Sequence, residues 1–123
     1  MKKSISILSI VSVLFILISC GDTTNNKLII GSWQGAEWLV NGQPSDNNAK
    51  ATSFTFNEKG DYTFNYGGVI EKGTYKVENA MLFTTPEKQQ EIMVNITKLT
   101  NDSLVFDMNR GGQPETLTLL RKK

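Results

Sequence analysis

The sequence contains no histidine and a single cysteine, Cys20. A catalytic histidine, a zinc site built on Cys and His, and an internal disulfide are therefore excluded together. An excess of charge is missing too: thirteen Lys and Arg stand against twelve Asp and Glu, a formal net charge of +1. Nucleic-acid-binding domains carry a basic stripe or patch, and Lys122-Lys123 is only a two-charge tail. Asp and Glu are scattered singly, without the dense loop spacing of a calcium site. Beyond the N-terminus no 3.6-residue periodicity of useful length appears. The residues thus call for no cofactor, no metal and no nucleic acid.

What is present begins with an address. Met1-Lys2-Lys3 is a positive n-region, and Ser4 to Ile18 is an apolar run rich in Ile, Leu and Val. About fifteen residues at a rise of 1.5 Å span ~22 Å as a helix, short of the ~30 Å hydrocarbon core. This is the h-region of an export signal rather than a resident anchor. It ends in Leu17-Ile18-Ser19-Cys20, which resembles the lipobox of bacterial lipoproteins. The resemblance implies that the Cys20 thiol receives a diacylglyceryl group, that residues 1–19 are removed, and that the new amine is acylated, with chains such as palmitate. Two or more acyl chains, at ~0.8 kcal/mol per buried methylene, hold a protein to a membrane effectively permanently. Gly21 follows Cys20, where the retention signal known in some bacteria has an acidic residue. The expected location is therefore the cell envelope, at the outer membrane, on its periplasmic or surface face.

Removal of the signal leaves 104 residues with eleven positive and twelve negative side chains, enough for one domain. Residues 20–27 read as the lipidated cysteine and a small, polar, flexible tether, and residues 28–123 as the domain. Period-2 runs broken by Gly, Asn, Asp and Pro recur along it, the pattern of an all-β sandwich or barrel. The expected strands are Ser32–Val40, Ala51–Asn57, Asp61–Tyr66, Val69–Glu78, Met81–Thr85, Gln90–Leu99, Leu104–Met108 and Glu115–Arg121. The turn Asn57-Glu58-Lys59-Gly60 pairs Phe56 with Tyr62 and Phe54 with Phe64, so the aromatics share one face. Eight antiparallel strands in an up-and-down meander suit a closed barrel, which removes exposed edges.

Leu28-Ile29-Ile30-Gly31-Ser32-Trp33, followed by a strand ending in Asn41-Gly42, resembles the start of the small bacterial lipocalin-like domains carried on lipoproteins. Phe54-Thr55-Phe56-Asn57 before Gly60, Gly73-Thr74-Tyr75, and Leu117-Thr118-Leu119-Leu120-Arg121 resemble their second hairpin, fourth strand and closing strand. The resemblance covers residues 28–122. It implies an eight-stranded lipocalin-like barrel plugged at one end by Trp33, with a basic side chain near the last strand over the indole. Arg121 is the matching candidate, and a guanidinium on indole adds ~0.5–2 kcal/mol.

Strand parity sends Phe54, Phe56, Tyr62, Phe64, Tyr66, Tyr75, Val77, Ile92, Val94, Ile96, Phe106, Leu117 and Leu119 inward. Most of these can simply fill a small barrel. The candidate ligand-binding residues are Tyr62, Tyr66, Glu71 and Tyr75, because buried hydroxyls and a buried carboxylate need partners. A two-residue Gly67-Gly68 loop places Glu71 across from Phe64, pointing inward. Glu37 shares the parity of Trp33, and a Glu37–Glu71 pair in the lumen would be open to acid–base chemistry. A bulge would instead put them in solvent. With no histidine and no second cysteine, the chain reads as a non-enzyme. The expected function is binding of a small apolar or amphipathic molecule near the open mouth, beside Tyr66 and Glu71. The alternative is an interaction module whose filled barrel presents Gly42–Lys50 and Asn109–Pro114 to another envelope protein.

Overall fold

The computed structural model describes residues 26–123. The export signal, Cys20 and the tether as far as Asn25 lie outside the described residues. The strands are β1 (Gly31–Val40), β2 (Gln43–Pro44), β3 (Thr52–Phe56), β4 (Asp61–Tyr66), β5 (Val69–Glu78), β6 (Met81–Pro86), β7 (Ile92–Leu99), β8 (Ser103–Arg110) and β9 (Gln113–Arg121). β2 is a two-residue strand folded back on the end of β1, with Val40 opposite Gln43. The other eight pair antiparallel in chain order, and β1 pairs with both β3 and β9. That double pairing closes an eight-stranded up-and-down barrel.

The turns set the register. Gly67 and Gly68 both have positive φ, 62° and 95°, the mirror-image turn whose twist matches that of the flanking strands. Tyr66 is thereby fixed opposite Val69, and Phe64 opposite Glu71. At the β3–β4 turn the Asn57 side chain accepts from the amides of Lys59 and Asp61, at 2.9 and 3.0 Å. Phe56 then faces Tyr62, and Phe54 faces Phe64, the register expected from parity.

Three features depart from expectation. The segment 109–114 is not a loop, because β8 and β9 run on to a tight Gly111-Gly112 turn, with Asn109 opposite Pro114 and Arg110 opposite Gln113. The stretch before β3 carries a 3₁₀ turn, Ala49–Ala51, and buries Ala49. In β1 the register with β9 jumps between Gly35 and Glu37, a bulge at Ala36. A bulge inserts one residue and reverses the inside–outside alternation beyond it. Trp33 is inside before it and Trp38 inside after it, while Glu37 is exposed. The Glu37–Glu71 pair is therefore not assembled.

The core runs along the barrel axis. Ile29, Trp33, Phe56, Leu82, Leu104, Phe106 and Leu119 are buried to 1% exposure or less. Among the described residues every member of this core lies between Ile29 and Leu119.

Candidate functional site

Antiparallel order gathers the turns at two rims. One rim holds the starts of β1, β4, β6 and β8, and it is closed. Residues 26–28 form a helical turn that drops the fully buried Ile29 into this end. Trp33 Nε1 donates to the Ile29 carbonyl at 2.9 Å. The Arg121 guanidinium lies 4.2 Å from the centre of the Trp33 ring, as the resemblance implied. It also donates to the carbonyls of Ile30 (2.8 Å), Leu28 (2.5 Å) and Asn101 (2.5 Å). Arg121 thus ties the N-terminal turn to the β7–β8 turn across the plug. Gly31 sits at φ 133°, and a Cβ there would run into Nη1 of Arg121. The positive φ, which L side chains rarely adopt, explains the glycine of Gly31-Ser32-Trp33, and the guanidinium contact adds to it.

The opposite rim is open, and a cavity of about 340 Å³ enters the barrel there. Trp38, Phe54, Phe64 and Phe106 line it, with Leu82 and Leu117 among the aliphatic side chains. Phe54 is the hub of this aromatic wall, with its ring centre 4.6 Å from that of Phe64 and 5.6 Å from that of Phe106. Among the described side chains, Glu71 is the sole ionisable group on the lining. Its Oε2 accepts a 2.7 Å hydrogen bond from the Tyr62 hydroxyl. Burial pushes that hydroxyl above the ordinary tyrosine range. The Glu71 carboxylate pushes the same way through its hydrogen bond and charge, and a hydrogen bond with Thr84 opposes them.

The cavity does not stop at the inner face of the barrel wall. Successive residues of a paired strand point to opposite faces, yet Ile92, Met93 and Val94 all line it, as do Met108 and Asn109. The cavity must therefore reach around the strand edges. The ladder between β7 and β8 ends at Asn95 opposite Asp107. Among the described residues, the mouth-side ends of the two strands, 92–94 and 108–110, pair only with their outer neighbours, β6 and β9. A lateral slot results. A second hollow of about 350 Å³ lies on it and shares Met93, Val94, Met108 and Asn109 with the lumen.

Of the four candidate ligand-binding residues, Glu71 alone lines the cavity. Tyr62 is buried behind it and presents its hydroxyl to Glu71. Tyr66 stands at the rim, its ring 5.9 Å from that of Trp38. Tyr75 belongs to the closed end, where its ring meets Phe56 edge-on and its hydroxyl donates to the Asn57 carbonyl at 2.6 Å. Burial, and next the Asp61 charge, raise its hydroxyl's pKa. Phe54 and Phe64 border open space instead of filling the barrel's middle, so the cavity is deeper than a rim site. Parity counted straight through the bulge hid Trp38, whose Nε1 donates to the buried Glu115 at 2.7 Å. A larger groove of about 580 Å³ lies against the β6–β7 loop and is lined by Asp61, Lys72, Glu87 and Lys88. Its charged walls make it a poor host for an apolar group. Among the described residues no group of three or more His, Cys, Asp and Glu is placed to hold a metal ion.

A closed, end-plugged barrel with a cavity at its open rim defines a lipocalin-like architecture. The chain belongs to the lipocalin-like domain family, whose family model matches residues 29–106. Two solved structures share the fold. A lipocalin-like protein from Bacteroides uniformis ATCC 8492 is 16% identical with a TM-score of 0.59, over 78% of this chain and 99% of that one. An uncharacterized protein from Bacteroides eggerthii DSM 20697 is 15% identical with a TM-score of 0.57, over 76% of this chain and 99% of that one. No curated protein matches the chain significantly.

Proposed function

We propose that this protein is a lipid-anchored binding protein of the cell envelope whose barrel holds a small amphipathic molecule in the cavity at its open rim. The observation that carries the binding reading is the cavity: about 340 Å³, walled by four aromatic rings, with a single carboxylate on its lining. Ligand sites are typically concave, mostly apolar and furnished with a few placed polar groups. The lipocalin-like fold supports the same reading, and anchoring is supported by the sequence Leu17–Cys20.

A neutral fluorescent probe, N-phenyl-1-naphthylamine, tests the cavity. Saturable one-to-one binding at micromolar concentration, about −8 kcal/mol, is expected, with quenching of Trp38. Val94→Trp, which places an indole in the cavity, should remove binding while the circular dichroism of the barrel persists. Probe binding unchanged by Val94→Trp would move the ligand site elsewhere.

A further inference from the structure

We propose that the ligand is a cationic amphiphile, an organic ammonium bearing an apolar chain, with its head at Glu71 and its chain leaving through the slot between β7 and β8. This rests on reading the cavity as the binding site.

The charges carry the choice of head group. Glu71 is the one ionisable group on the described lining, and the Tyr62 hydroxyl is its hydrogen-bond donor. An ionised carboxylate has roughly four acceptor positions, and Tyr62 takes one of them. Among the described side chains the one ion pair joins Lys76 to Glu78, and none of the described cations pairs with Glu71. Lys72, its neighbour in β5, is exposed on the opposite face of the strand. The other carboxylate turned inward is Glu115, buried and bonded to Trp38. The described lumen is therefore negative or neutral throughout.

A carboxylate ligand would bring a like charge into that setting, which complementary interfaces avoid. A neutral head would cover Glu71 and take away water without supplying a counter-charge. An ammonium supplies the counter-charge, and the Trp38, Phe54, Phe64 and Phe106 rings add cation–π attraction in a partly dry site. The slot accounts for the chain. Ile92 and Met93 are large apolar side chains, 48% and 54% exposed, at its edge. With Met108 they form an apolar path from the lumen to the outer hollow. Flexible methionines suit a chain of variable conformation.

The test compares three probes that share a ten-carbon chain and differ only in the head, decyltrimethylammonium, decanol and undecanoate, by calorimetric titration of the purified protein. The ammonium is expected to bind at least about tenfold tighter than the alcohol, and the carboxylate weakest of the three. This comparison needs no variant to fold. Glu71→Gln should remove the advantage of the ammonium over the alcohol, whereas Glu37→Gln on the outer face should leave that advantage intact. Met93→Ser should weaken decyltrimethylammonium but not tetramethylammonium, which has no chain. An ammonium that binds no tighter than the alcohol overturns the proposal while the cavity reading stands. So does an ammonium preference that survives Glu71→Gln. Equal weakening of the long and short ammonium by Met93→Ser removes the slot from the proposal. If none of the three binds, the cavity reading fails as well.

Discussion

At the scale of the residue, the closed end depends on one stacked pair. Trp33 fills the plug, and Arg121 covers it while donating to three carbonyls, so the two side chains share an energetic unit. Trp33→Ala should cost ~3–5 kcal/mol as a large core truncation, and Arg121→Ala less. Chemical denaturation of the single and double variants should show coupling of about 0.5–3 kcal/mol; strictly additive losses would mean that the contact carries no energy. Tyr62 offers a second measurement. Its hydroxyl pKa is raised in the fold, so the folded state keeps a proton that the unfolded chain releases near the ordinary tyrosine value of 10. This contribution to stability is complete below pH 10 and is lost as the pH climbs past it, because the folded state then binds more protons than the unfolded one. Tyr75 is raised in the same direction. Tyr62→Phe should therefore make the alkaline decline in denaturation midpoint shallower without abolishing it. A decline as steep as in the parent would assign the effect to other groups.

At the scale of the element, β1 is the strand on which the site depends. Its bulge at Ala36 lets one strand supply Trp33 to the plug and Trp38 to the mouth. Deleting Ala36 restores simple alternation and must send either Trp33 or Trp38 to solvent. Circular dichroism and denaturation should show a barrel destabilised by more than a typical surface change of about 0.5 kcal/mol, and Trp fluorescence should shift to the red. A deletion variant with native spectra would show that β1 tolerates either register. The same bulge marks where sequence reading reached its limit. The hairpins β3–β4 and β4–β5 were legible because Asn57, Gly60, Gly67 and Gly68 dictate turn geometry locally, and the register of Phe64 with Glu71 follows from it. The plug was legible because Gly31-Ser32-Trp33 and Arg121 resemble a family pattern. A bulge carries no such local signature: Gly35-Ala36-Glu37 reads as ordinary alternation, which puts Glu37 on the face of Trp33 and leaves Trp38 on the other. The slot was hidden for a related reason, since nothing within 92–94 or 108–110 says that two neighbouring strands will part.

At the scale of the whole molecule, the first described residue, Asn26, and the mouth lie at opposite ends of the barrel. The chain enters at the closed rim, where the Asn26 side chain donates to the carbonyl of Val77, one residue before β5 ends. From Cys20 to Asn26 the chain can span at most ~22 Å, at ~3.6 Å per residue. Strands of ten residues rising ~3.3 Å each, tilted by ~40°, put the open rim roughly 25 Å further along the barrel axis. If Cys20 carries the anchor, as we propose, a tether shorter than the barrel keeps the open rim from being turned flat onto the bilayer. Two outcomes follow. Cys20→Ser should be neither acylated nor cut before residue 20, as seen by mass spectrometry of the expressed chain. Processing at that site together with acylation would rule out Cys20 as the modified residue. The lipidated protein on vesicles of neutral lipid should then bind N-phenyl-1-naphthylamine, after correction for partition into protein-free vesicles, as tightly as protein without the anchor. A marked loss of binding on vesicles would mean that the mouth is turned onto the bilayer, and that the ligand reaches it from lipid instead of water.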